Sequence, residues 1–249
     1  MTPFILTVTS TIACLYFFII LFSLVSKYND WFCKAPGLDW AISVFSWIPW
    51  VISYQFYGWA GALYSLIGEL AVLYSFNFIH ERFIHKYQGP KLHQTLNKIV
   101  GFTRNHLALF ICLLALPIFL AIRAGQILIY PLLRWTLRFP QYKASDWINV
   151  SRYKFDGLVG HDMVWCLYCD WMTGLYALTG EMLRNVESFW CPIRFYEGKK
   201  CDNCTLDFPD LDQWVPADGK VQDVVDLLLE KYPPESKKDR TWFGFKKSK

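Results

Sequence analysis

The chain has 249 residues, of which 54% are hydrophobic, 18% aromatic and only 18% charged. That is poor in charge for a soluble domain and points to a bilayer. The net charge of +4 is modest and spread out, so no nucleic-acid partner is implied; the basic residues flank apolar runs, as membrane anchors do.

The first apolar run, Phe4 to Val25, is long enough to cross a hydrocarbon core of ~30 Å at ~1.5 Å per residue. Its leading residues carry no Lys or Arg, and no small-x-small site precedes Lys27, so an uncleaved anchor is favoured over a signal peptide. From Trp40 to Ile79 the only ionisable side chain other than tyrosine is Glu69. That stretch is about twice one span, and Tyr57-Gly58-Trp59-Ala60-Gly61 at its centre offers a turn. It predicts a helical hairpin with arms at 40–57 and 60–79, the first kinked by Pro49.

The loop from His80 to His106 carries Arg82, Lys86, Lys91, Lys98 and Arg104 against the single acid Glu81. That bias places it on the cytoplasmic side and the N-terminus outside. The fourth apolar region, 107–137, is interrupted by Pro117, Arg123, Pro131 and Arg134. Either 107–122 crosses or the whole segment dips in and returns. The basic residues Arg138, Lys143, Arg152 and Lys154 that follow favour the re-entrant form.

Beyond it, five of the eight cysteines fall between His161 and Cys204. Four of them form two Cys-x-x-Cys pairs, Cys166/Cys169 and Cys201/Cys204, the spacing at which thiolates hold a soft metal ion. On a helix over 162–184, Asp162, Cys166, Cys169, Asp170, Thr173 and Arg184 fall near one stripe, with apolar residues filling the rest. The acids make a span there unfavourable, so an amphipathic helix is expected. The second pair sits in a polar knuckle, Gly198 to Cys204, where Lys199 and Lys200 favour thiolates. Four converging thiolates make a closed structural zinc site. Cys191, before Pro192, and His161 are further possible ligands, and an iron–sulfur cluster or disulfides are the alternatives to zinc. Cys14 and Cys112 lie in apolar runs as lipid-buried or packing residues; Cys33 has no assignable partner.

Three other features are weighed against ordinary explanations. His80 and His85, with His93 and His106, share one membrane face, as in histidine-rich membrane metal sites, but such sites use more histidines. The default is interfacial histidines on a basic loop. Glu69 inside a span is either a proton or cation site or a carboxyl paired with Gln55 or Ser65. His161 and Asp162 supply either metal contacts or the start of a helix, where an acid is favoured. No phosphate-binding glycine loop, nucleophile elbow or His-Glu-x-x-His motif is present.

Lys220 to Tyr232 reads as a short amphipathic helix stopped by Pro233-Pro234. The end, SKKDRTWFGFKKSK, sets six basic residues against one acid and interleaves Trp242, Phe243 and Phe245. Such a segment suits an anionic membrane face or a partner subunit.

The expectation is therefore an all-α integral membrane protein. A membrane domain (1–139) of about three spans and a re-entrant or short fourth segment precedes a cytoplasmic cysteine-rich domain (140–217) and a helix with a basic aromatic tail (218–249). The expected role is an interaction or assembly subunit in the lipid bilayer beside other membrane-protein subunits. A membrane redox enzyme or electron carrier, with an iron–sulfur or dithiol centre near a lipid-soluble substrate, is the alternative.

Overall fold

The computed structural model describes residues 2–26, 30–84, 91–150, 158, 160–190, 215 and 218–241. Among these the secondary structure is helical, with an isolated bridge between Lys34 and Asn149. Three stretches are long and apolar enough to cross a membrane: Pro3–Val25, Ile48–Phe83 and Phe102–Leu137. The expectation of an all-helical membrane protein thus holds at this level.

Two compact units divide the chain. The first comprises Met1–Phe119 and Lys143–Leu175. Its α1 (Pro3–Ser26) and α3 (Ile48–Ile79) run side by side, with a short α2 (Gly37–Val44) between them in sequence. Phe4 meets Tyr64 at 5.1 Å, Thr11 meets Ser65 at 3.5 Å, and Tyr16 meets Ser75 at 2.7 Å. Both series ascend, so α1 is parallel to the second half of α3. Leu15, Val44 and Val72 form the apolar core of this packing.

Helix α3 is the expected hairpin. Gly58 adopts φ 60°, ψ −150°, a conformation open essentially to glycine alone, and the chain reverses there. The reversal brings the Trp50 Nε1–H onto Glu69 Oε2 at 2.6 Å. In a straight helix nineteen residues would separate that pair by ~28 Å. The first arm also breaks at Phe45–Trp47, because Pro49 has no N–H for the Phe45 carbonyl.

A π-helical turn, His80–Ile84, ends α3. Helix α4 (Leu92–Val100) then turns at Gly101 into α5 (Phe102–Leu113), tied back by a 2.8 Å bond from Asn105 Nδ2 to Asn97 Oδ1. Helices α5, α6 (Leu116–Leu128) and α7 (Tyr130–Leu137) follow one another as a kinked helical stretch. Its breaks precede or contain Pro117 and Pro131. Bonds such as Phe119 N–H to Ala115 and Leu133 N–H to Ile129 carry the backbone ladder past these breaks. Ala35 N–H bonds to Ile148 and Val150 N–H to Cys33, so residues 148–150 lie beside the loop that follows α1. That loop and the end of α3 sit at one end of the two parallel helices.

Helix α8 (Ala144–Trp147) is a single turn, and α9 (Gly160–Trp190) is long. In the first unit α9 packs Trp165 on Phe110 and Trp171 on Phe119. The second unit comprises Leu120–Tyr142 and Tyr176–Lys249. There Arg123 Nη1–H donates to Gln126 Oε1 at 2.8 Å, and Gln126 Nε2–H to Thr179 Oγ1 at 2.7 Å. Both Arg123 and Gln126 are buried, as polar groups of an apolar helix must be. Asn185 Nδ2–H donates to the Tyr142 hydroxyl at 2.6 Å, and that hydroxyl to Glu181 at 3.3 Å. Helix α10 (Val221–Lys231) leads into a tail that docks rather than hanging free. Arg240 N–H donates to the Arg138 carbonyl, Arg240 Nη1–H to that of Leu137, and its guanidinium lies 5.7 Å from the Phe189 ring centroid. Residues 242–249, with the aromatic part of the tail, lie outside the described residues.

Candidate metal centre

Four of the five histidines meet at the start of α9. His80 comes from the end of α3, His93 from α4, His106 from α5 and His161 from α9 itself. Close approach is possible because α9 opens on Gly160, at φ 42°; a Cβ there would stand 2.7 Å from Glu81 Cγ and 2.9 Å from the Asn77 carbonyl. The Gly160 N–H donates to His80 Nδ1 at 3.0 Å. Glu81, beside it, pairs with Lys91 at the head of α4.

Asp162 holds the group together. It is 5% exposed, and its carboxylate accepts two bonds from one residue: the His93 backbone N–H at 3.0 Å and the ring Nδ1–H at 3.2 Å. Burial pushes the carboxyl up, but the nearby His161 ring and the hydrogen bonds from His93 outweigh it, so Asp162 titrates below its ordinary range. Asp162 lies in the first turn of α9, where an acid is favoured, and at the same time it orients a histidine from α4.

These bonds decide which ring nitrogens carry lone pairs. His93 gives its Nδ1 proton to Asp162, leaving Nε2. His106 gives its Nδ1 proton to the Phe102 carbonyl at 3.0 Å, also leaving Nε2. His161 accepts at Nε2 from Trp165 Nε1–H at 3.1 Å. Its Nδ1 is buried without a hydrogen-bond partner, 3.7 Å from Asp162 Oδ1. The His161 ring lies 5.2 Å from that of His93 and 5.3 Å from that of His106. Among the described residues, His93, His161 and Asp162 alone place three ligand atoms within 4.8 Å of one another.

The four-cysteine site takes no shape among the described residues. Cys166 and Cys169 are half-buried on α9, as the helix expectation had them, and no disulfide forms among the described cysteines. Cys191, Cys201 and Cys204 lie outside the described residues, as does His85. Cys14 and Cys112 are exposed on apolar helices and Cys33 is half-buried, and none of them joins the histidine group as a ligand. Glu69 is paired neither with Gln55 nor with Ser65. Trp50 takes one oxygen, the other is buried with no partner, and Ser65 bonds to Thr11.

His93 and His106 were visible in sequence as interfacial histidines, but their convergence on His161-Asp162 was not. The usable signal was the pair His161-Asp162 following Gly160, together with histidines at both ends of the same loop. No protein-family model, curated protein or solved structure matches the chain.

Proposed function

We propose that this is an integral membrane metalloprotein whose working centre is the histidine group at the start of α9. One divalent first-row ion, zinc being well suited to imidazole, would be held by His93, His161 and Asp162, whose ligand atoms lie within 4.8 Å of one another, with the His106 ring beside them. The observation that carries this is the convergence of rings from α4, α5 and α9 around a buried, unpartnered His161 nitrogen. Asp162, which also accepts from the His93 ring, would fix the tautomer of that imidazole. Three protein ligands leave a position open, and an ion so held lowers the pKa of a bound water toward neutrality. The class is therefore a membrane-bound metalloenzyme acting on a substrate at the membrane face. The basic 80–106 loop supports a cytoplasmic setting for the centre and for the cysteine segment that follows it.

A second reading is the assembly subunit with structural zinc on Cys166, Cys169, Cys201 and Cys204. It is supported by the two half-buried thiols that α9 presents three residues apart. Cobalt substitution of the purified full-length protein separates the two. Bound cobalt with only weak visible bands supports imidazole ligation, and intense sulfur-to-metal charge-transfer bands support the thiolates. Absence of bound cobalt removes both.

A further inference from the structure

Helix α4 is turned the opposite way from a helix on a water-soluble protein. His93 and Asn97 face inward, onto Asp162 and Asn105. Leu92, Leu96, Ile99 and Val100, spaced to share one face, point outward, Ile99 by as much as 72%. The helix lies between an apolar stretch ending at Phe83 and another beginning at Phe102, so both of its ends are tethered at a membrane face. The apolar surface runs on from Val100 to the exposed Phe102 and Leu107. Arg82, Lys98 and Arg104 are exposed along the same segment.

We propose that α4 is an interfacial helix lying on a leaflet that contains anionic lipid. Its apolar stripe sinks into the acyl boundary while the basic residues meet headgroup phosphates. A second copy of the chain is the poorer occupant, because it would oppose one basic rim to another. The inference does not depend on which ion, if any, the histidines hold. It sets His93, next to Leu92, at headgroup depth.

The test uses full-length protein in nanodiscs of phosphatidylcholine and phosphatidylserine, with a photoreactive benzoylphenylalanine at Ile99, at Leu96 or, on the opposite side, at Gln94. Illumination should give adducts of lipid mass at Ile99 and Leu96 and little at Gln94. No lipid adduct at Ile99 and Leu96, equal adducts at all three positions, or crosslinked dimers in their place would overturn it. Metal content measured on the same samples reports separately on the histidine centre.

Discussion

His93 and Asp162, 69 residues apart in the chain, meet through two hydrogen bonds, one from the backbone N–H and one from the ring Nδ1–H. The double bond fixes both the position of α4 against α9 and the rotation of the imidazole. Asp162→Asn keeps the size but puts an amide where the carboxylate accepts twice. Its expected effect is a fall in metal affinity of about 10- to 100-fold. Competition against a chelator of known affinity measures it, and an unchanged constant would remove Asp162 from the centre.

Trp165 carries the opposite expectation. Its N–H bonds to His161 Nε2, so metal binding at Nδ1 must move the ring proton to Nε2 and break that bond. Trp165→Phe removes the competing bond, worth on the order of 0.5–1.5 kcal/mol, so affinity should rise roughly two- to tenfold. An unchanged or lower affinity in the same competition assay would mean that His161 does not give up that bond to take the metal.

Much of the membrane architecture was legible in sequence because it follows from the spacing of charge. The first span, the hairpin about Gly58 and the kink at Pro49 all read directly from runs of apolar residues and their interruptions. Trp50 as the partner of Glu69 was not legible, since the register across a hairpin depends on how its arms pack. Nor was the His93–Asp162 pairing, which requires α4 and α9 to meet. For the segment 107–137 the basic residues that follow it favoured a re-entrant form over a crossing, and how its interruptions are accommodated was not legible: the prolines sit at kinks and Arg123 is buried against Gln126. The cysteine pairs were the most conspicuous pattern, but two of the four thiols fall outside the described residues.

The hairpin rests on one backbone conformation. Gly58→Ala meets no neighbour within 4 Å, so its effect is pure backbone strain at φ 60°, ψ −150°. Destabilisation of about 1–3 kcal/mol is expected in detergent unfolding. Unchanged stability would mean that the chain does not reverse there.

In the second unit the Tyr142 hydroxyl joins Asn185 to Glu181. Tyr142→Phe leaves both partners short of a bond and should cost about 1–3 kcal/mol. Burial, opposed by the Asn185 bond and aided by the Glu181 charge, holds this phenol well above the ordinary tyrosine range. Its folded pKa exceeds the unfolded one, so its contribution is complete below pH ~10 and is lost as pH rises through the folded value. Unfolding followed from pH 8 to 11 should show wild-type stability declining above ~10 more steeply than that of Tyr142→Phe.

Metal stoichiometry of full-length protein purified without chelator tests the central claim most directly, comparing wild type, His93→Ala, His161→Ala and the double variant Cys201→Ser/Cys204→Ser. The histidine centre predicts about one equivalent in the wild type and in the cysteine variant, with loss in both histidine variants while the protein stays folded. Metal retained in the histidine variants but lost from the cysteine variant, or no metal in the wild type under loading, would contradict it.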